Sequence, residues 1–302
     1  MAGRWSEVPI LRTLLLFIPT LLLALPAYAA DLLLVQSQSR PAYEQAVRLI
    51  QNGCAGGAET LVMSDYAEFD LARIVREEQP RLVIVVGDQA LKEARKLRRV
   101  PVVFTMALDI NEKTLGDNVT GVSMNVSADN YLKLFRKLQL QRIGVLYDPH
   151  RSGAYLARAR KAASGSGIEL VAIEVHSPRE VPAALARLKE HGVSGIWMLP
   201  DSTAVSQENV DAYFLFAQKQ NLPVISFSRG YLAKGALAVL EVSRQMIGEQ
   251  SCSLVKKLRK GTPPAELPVV DVSETALFTN DNVAAKLDIK LSGLEQLFPK
   301  HE

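Results

Sequence analysis

Cysteine, histidine and aromatic residues are all scarce in this chain. Its 302 residues include two cysteines and four histidines, and 6% of them are aromatic. So few cysteines exclude a disulfide-dense scaffold and a zinc ribbon. The histidines are dispersed, so no local spacing supplies the converging ligands of a metal site. We therefore expect no metal centre and no cofactor.

A strong charge of one sign is also absent. Thirty-five Lys and Arg residues stand against 32 Asp and Glu, and the net charge is +3. Because both signs are mixed along the chain, the composition does not favour a nucleic-acid partner. The nucleophile elbow, the zinc-protease motif, the Walker loop and a glycine-rich dinucleotide loop are all missing. Because these catalytic motifs are missing, we expect that the protein is not an enzyme. With 48% hydrophobic residues the chain is too apolar to be disordered, so we expect it to fold.

Only the N-terminus carries a long apolar run. Arg4 and Arg12 precede the run at 13–25, and small residues follow at Ala27 and Ala29. This is the pattern of a secretory signal peptide, here 1–29. A membrane anchor is disfavoured because a helix needs about 20 apolar residues to span a bilayer. The sequence therefore predicts a soluble protein exported to the periplasm.

Export would place the two cysteines, Cys54 and Cys252, in an oxidising compartment. They could form a disulfide, or they could be two buried free thiols. Geometry decides between these alternatives, and the sequence leaves both open.

Short apolar runs alternate with amphipathic segments along the rest of the chain. The predicted strands of a first series are 32–36, 60–64, 82–87 and 101–105. Those of a second series are 142–148, 168–175, 195–200 and 223–227. Runs that are apolar on both faces are typical of parallel strands covered by helices on both sides. The sequence thus predicts an α/β fold with two doubly wound parallel-sheet lobes, joined by a hinge that the chain crosses several times.

The predicted boundaries of these lobes follow the order of the segments. After the signal peptide, residues 30–124 and 229–267 are assigned to the first lobe. Residues 125–228 and 268–302 are assigned to the second lobe.

Three motifs carry a resemblance to a known family. NVTGVS at 118–123, IGVLYDP at 143–149 and KGALA at 234–238 occur in this order. From about residue 31 to 297 the chain resembles the ABC-transporter substrate-binding proteins, including tryptophan- and tyrosine-type members. The resemblance implies a periplasmic-binding-protein type I fold, which captures a small solute between two lobes for an ABC permease in the inner membrane. A ligand-sensing module for a membrane receptor, without transport, is the alternative. A monomer is expected.

Polar residues concentrate where the predicted strands end, which is where open α/β sheets bind ligands. Any one of them could instead serve as a turn or cap residue. The candidate ligand-binding residues are Gln36, Gln38, Asp88, Gln89, Thr105, Met106, Asp109, Ser123, Tyr147, Asp201, Ser202, Thr203, Ser226, Ser228 and Glu241.

Asp88 departs from the family pattern. Family members usually carry Thr or Ser after the glycine that corresponds to Gly87. A hydroxyl there can help to hold a carboxylate, whereas the Asp88 carboxylate repels one. The departure favours a cationic or neutral polar solute with donor groups for Asp88 and Glu241.

Overall fold

The computed structural model describes residues 31–108, 110 and 112–298. The predicted signal peptide and the candidate residue Asp109 lie outside the described residues. None of the helices in these ranges combines the length and the apolar character that crossing a membrane requires.

Strands and helices alternate over most of the chain. The strands are β1 (Leu32–Gln36), β2 (Glu59–Val62), β3 (Leu82–Val86), β4 (Val102–Ala107), β5 (Val119–Val126), β6 (Arg142–Tyr147), β7 (Glu169–Glu174), β8 (Gly195–Trp197), β9 (Val224–Ser226), β10 (Ala238–Val242), β11 (Val270–Val272) and β12 (Thr275–Thr279). The helices are α1 (Pro41–Gly53), α2 (Leu71–Glu78), α3 (Asp88–Ala94), α4 (Ala128–Lys137), α5 (Gly153–Ala163), α6 (Val181–Glu190), α7 (Val210–Gln220), α8 (Arg244–Arg259) and α9 (Asp281–Leu287).

The first lobe is built on a parallel sheet with the strand order β11-β5-β4-β3-β1-β2. All residues of β1 and β3 are buried, because helices cover the sheet on both faces. Helices α1 and α8 contribute to the core on one face, and α2 and α3 to the core on the other. The apolar character of these strands on both sides is explained by this double cover.

The second lobe repeats the arrangement with the order β12-β10-β9-β8-β6-β7. Only β12 runs antiparallel to its neighbour among the described strands of this sheet. Helices α4, α5 and α9 pack on one face, and α6 and α7 pack on the other. The predicted fold class, two doubly wound α/β lobes, is confirmed.

The chain passes between the lobes at three places. It leaves the first sheet after β5, returns from β10 to α8, and leaves again between β11 and β12. A disulfide between Cys54 and Cys252, with Cα atoms 5.4 Å apart, joins the end of α1 to α8 within the first lobe.

Sheet membership differs from the predicted boundaries in two segments. The segment 229–267 was assigned to the first lobe, but β10 pairs with β9 and β12 in the second sheet. The segment 268–302 was assigned to the second lobe, but β11 pairs with β5 in the first. The boundary at 124 also falls inside β5. Alternation along the chain shows where strands are but not which neighbours they pair with, so it did not locate these crossings.

Gly121 allows β4 and β5 to approach each other closely. A Cβ atom at this position would lie 2.3 Å from the carbonyl oxygen of Phe104 and 2.5 Å from its ring. We expect Gly121→Ala to lower the free energy of unfolding by about 1–3 kcal/mol, since the backbone of β4 must move. Urea denaturation followed by circular dichroism measures this. Gly153→Ala is the control, because its Cβ would have no neighbour nearer than 3.8 Å. Equal stability of both variants would contradict the prediction.

Candidate functional site: the interlobe cleft

A cavity of about 500 Å³ lies between the two lobes. Its first-lobe wall is formed by Asp88 at the start of α3, Leu108 after β4, and the end of β5 at 124–126. The second-lobe wall includes the turn after β8 and the start of α5. The cavity therefore lies beyond the carboxyl ends of strands from both sheets, where α/β proteins bind ligands.

Four aromatic side chains belong to the second-lobe wall. Tyr131, Tyr155, Phe227 and Tyr231 all line the cavity. The Tyr131 hydroxyl donates to the carbonyl of Ser226 at 3.3 Å, and burial raises the pKa of Tyr131. Phe227 and Tyr231 are half-buried, whereas Tyr131 and Tyr155 are 2% and 3% exposed, so the ring surface open to a solute comes mainly from Phe227 and Tyr231.

Tyr155 is also held by a hydrogen bond from its hydroxyl to a backbone carbonyl. Its hydroxyl donates to the carbonyl of Val126 at 2.7 Å, and burial raises the pKa of Tyr155 well above its ordinary value. Because Val126 ends β5 and Tyr155 lies on α5, this bond links the aromatic wall to a crossing segment.

The first-lobe wall contributes a carboxylate, Asp88. Its Oδ1 accepts the backbone N–H of Leu108 at 2.8 Å. The preceding residue, Gly87, has φ +93°, and a Cβ there would lie 2.7 Å from Ser37 Oγ and 2.8 Å from the Tyr43 ring. Burial, together with the charge of Asp88, raises the pKa of Tyr43. The Gly87 turn thus brings an anionic group to the edge of the cavity.

Asp201 lines the cavity, but its carboxylate is hydrogen-bonded to neighbouring protein groups. Its carboxylate accepts the backbone N–H groups of Asp148, Thr203 and Ala204, at 2.8, 3.0 and 3.0 Å, and the Ser152 hydroxyl. Asp201 is 2% exposed, so these donors stabilise its buried carboxylate. It shapes the cavity wall and offers little to a solute.

Arg151 contributes a positive charge to the cavity wall. Its Nε donates to Thr203 Oγ1 at 2.9 Å, and Asp148 Oδ2 lies 3.8 Å away. Asn125 lines the cavity from the opposite lobe. Arg151 and Asn125 can both donate hydrogen bonds to an acceptor group of a solute.

Three of the candidate residues named from the sequence line this cavity: Asp88, Asp201 and Ser202. The other candidates among the described residues do not line it. Gln36, Thr105, Met106 and Ser226 are buried, each at the end of a strand or close to it. Gln38, Gln89, Thr203 and Ser228 lie in turns or at the start of a helix.

Three further candidates have protein partners instead. Ser123 donates to Asp271 at 2.7 Å, and Tyr147 donates to Glu174 at 2.7 Å. Glu241 accepts the backbone N–H of Arg229 and forms an ion pair with its guanidinium at 2.8 Å. The part of the chain that the structure describes contains no group of three His, Cys, Asp or Glu side chains placed to hold a metal ion.

The aromatic wall was missed from the sequence, although a signal for part of it was present. Tyr131 and Tyr155 lie in the first turns of α4 and α5, the helices that start beside the cleft. In a doubly wound fold the helix start after a strand faces the ligand edge of the sheet, so an aromatic residue there is a candidate. Phe227 lies between two of the candidate residues, Ser226 and Ser228.

Comparison with known proteins identifies a matching protein family. The family model for "ABC transporter substrate binding protein" matches residues 62–297. A tyrosine-binding protein of Clostridioides difficile (strain R20291) is 22% identical over 72% of this chain and 66% of its own length. An uncharacterised protein of Rickettsia prowazekii (strain Madrid E) is 26% identical over 63% of this chain and 60% of its own length. The chain thus spans less than two thirds of either curated relative.

Solved structures show the same fold. An ABC domain in complex with L-Trp from Streptococcus pneumoniae has a TM-score of 0.57 at 21% identity, covering 88% of this chain and 96% of that one. The ligand-free, open structure of a substrate-binding protein with adhesive properties from Clostridium difficile has a TM-score of 0.59 at 19% identity, covering 88% and 97%. The periplasmic-binding-protein type I fold expected from the motifs is confirmed.

Proposed function

This chain belongs to the ABC transporter substrate-binding protein family, and from that premise we propose that it captures a small solute in its interlobe cleft for an ABC permease. The cavity of about 500 Å³, lined by both lobes, is the observation that carries the proposal. Its volume lies in the range of about 300–1,000 Å³ that is usual for small-molecule sites. The predicted export signal supports a periplasmic location.

The walls of the cavity indicate the chemistry of the solute. Rings on the second lobe suit a flat apolar body, and Asp88 on the first lobe suits an ammonium group. Arg151 and Asn125 suit an acceptor such as a carboxylate. We propose a solute of amino-acid size whose ammonium group faces Asp88. The names of two similar proteins, a tyrosine-binding protein and an L-Trp complex, support an aromatic amino acid.

This proposal revises the solute inferred from the sequence. Asp88 keeps the role of attracting a cationic group, and Arg151 supplies the opposite charge that makes a dipolar solute acceptable. Glu241 loses its proposed role because its carboxylate is engaged with Arg229.

The proposed mechanism is closure of the two lobes around the solute. The three crossings act as the hinge, and the solute stabilises the arrangement in which both walls contact it. The permease then recognises that arrangement. The solute favours the closed form only to the extent that it binds this form more tightly than the open one. It must therefore contact both lobes.

The role of Asp88 is tested by Asp88→Asn. We expect this variant to bind L-tryptophan or L-tyrosine about 10- to 100-fold more weakly, since a charge-assisted hydrogen bond contributes about 1.5–3 kcal/mol. Asparagine keeps an oxygen for the Leu108 N–H, so the turn is preserved. Isothermal titration calorimetry measures the affinity.

Two analogues and a matched variant complete this experiment. Tryptamine lacks the carboxylate and indole-3-propionate lacks the ammonium, and Asp88→Asn should weaken only the first. Asp211→Asn is the control, because Asp211 pairs with Lys234 on the surface. Unchanged binding of both amino acids by Asp88→Asn would refute the proposed solute orientation.

Delivery to a permease is tested by uptake of the labelled solute in cells with and without this protein. Loss of uptake supports import. Normal uptake with loss of a transcriptional response to the solute would instead support the sensory alternative.

A further inference from the structure

One side chain of the second lobe reaches across to the first lobe beside the cavity. Arg158 lies on α5, and its guanidinium forms a bidentate pair with Asp271 on β11. The distances are 3.0 Å from Nε to Oδ2 and 2.9 Å from Nη2 to Oδ1. Its Nη1 also pairs with Glu112, in the turn after β4. Both carboxylates belong to the first lobe, so Arg158 joins the lobes.

Asp271 is fixed in place for this pairing. The Ser123 hydroxyl donates to its Oδ1 at 2.7 Å, and the Gln250 amide donates to its backbone carbonyl at 3.1 Å. The exposed fractions of the two paired side chains are 32% for Arg158 and 11% for Asp271. A bidentate, partly buried arginine–carboxylate pair has a more specific geometry than a fully exposed ion pair.

The same turn of α5 also belongs to the cavity. Tyr155 lines the cavity, and its ring centroid lies 5.8 Å from the Arg158 guanidinium carbon. Asp271 lies just before the crossing from β11 to β12. The residue that pairs the lobes and one residue of the aromatic wall therefore lie on the same helix, next to a crossing segment.

We infer that Arg158 is a positioning residue for solute binding, and this rests on the proposed function. Its pairing with Asp271 and Glu112 holds the lobes in the arrangement in which Asp88 and Arg151 border one cavity. Without the pairing that arrangement is populated only part of the time. The apparent dissociation constant then rises by the inverse of the populated fraction, although Arg158 does not line the cavity.

The first experiment measures affinity and lobe arrangement together. We expect Arg158→Met to bind L-tryptophan about ten-fold more weakly by calorimetry, within the range usual for coupled equilibria. Small-angle X-ray scattering of the ligand-free variant should show a larger radius of gyration. Arg158→Lys should be intermediate, because an ammonium cannot form the bidentate pair. Arg142→Met removes an ion pair within the second lobe, at 2.9 Å from Glu169, and should change neither quantity.

A double-mutant cycle separates positioning from a general loss of structure. Asp271→Asn should weaken binding by less than Arg158→Met does, because the Glu112 pair remains. The double variant should be no worse than Arg158→Met alone. Additive losses, or wild-type affinity and scattering in Arg158→Met, would overturn the inference. If the unmodified protein binds neither L-tryptophan nor L-tyrosine, the proposed aromatic amino-acid solute fails. In that case scattering decides alone, and an unchanged profile in both single variants rejects the role of Arg158.

Discussion

Replacing Trp197 with alanine is expected to lower the free energy of unfolding by about 3–5 kcal/mol and to abolish solute binding. Trp197 ends β8 and is 1% exposed. Its ring packs against Tyr131, Phe135 and Tyr155, with centroids 4.7, 5.6 and 5.8 Å away. Two of these three residues, Tyr131 and Tyr155, line the cavity. Truncation therefore leaves a void behind the wall and removes the support that orients both rings.

Urea denaturation and calorimetry with L-tryptophan measure the two parts of this prediction. Trp197→Phe keeps a ring at the site and should lose less stability and some, not all, of the affinity. Leu215→Ala is the control, because Leu215 is 54% exposed and its loss should change stability by about 0.5 kcal/mol or less. A Trp197→Ala variant with unchanged affinity would show that the tyrosines do not depend on Trp197.

The fold was predictable because its strands carry an unambiguous pattern. The apolar runs that form β1 and β3 are buried along their whole length, as expected for strands of a parallel sheet that helices cover on both faces. The membership of β10 and β11 was not predictable in the same way. β10 is apolar enough for the interior of either sheet, and only pairing in three dimensions assigns it to the second.

The rule that ligands bind beyond strand ends points to the edge of the sheets where the cavity lies, and three of the candidate residues line that cavity. Asp88 lies at the start of α3, just beyond β3, and Ser202 lies in the turn after β8. The rule does not say which strand-end residues turn inward. Thr105 and Ser226 are fully buried within their sheets, whereas Tyr131 and Tyr155 come from helices and were not considered. Side-chain direction at a strand end depends on the turn that follows, and this is a tertiary property.

Removal of the disulfide is the second change for which we expect a large loss of stability. The disulfide between Cys54 and Cys252 closes a segment of the chain with a sequence separation of 198 residues. Replacing both with serine is expected to lower the free energy of unfolding by about 2–5 kcal/mol, since the unfolded chain gains freedom. The loss should fall on the first lobe, because the bond holds α8 against α1 between two crossings of the hinge. Neither cysteine lines the cavity, so solute affinity of the folded double variant should stay close to that of the wild type.

Reductant provides an internal control for this prediction. Urea denaturation of the wild type with dithiothreitol should reproduce the lower stability of the Cys54→Ser, Cys252→Ser variant, while dithiothreitol should leave the variant itself unchanged. If the variant is as stable as the oxidised wild type, the packing of α8 on α1 is sufficient without the covalent link. If the variant folds but loses affinity, anchoring α8 to the first lobe governs the hinge as well as stability. The expected outcome, a stability loss without an affinity loss, would assign the disulfide to the integrity of one lobe and leave control of the cleft to Arg158 and the crossing segments.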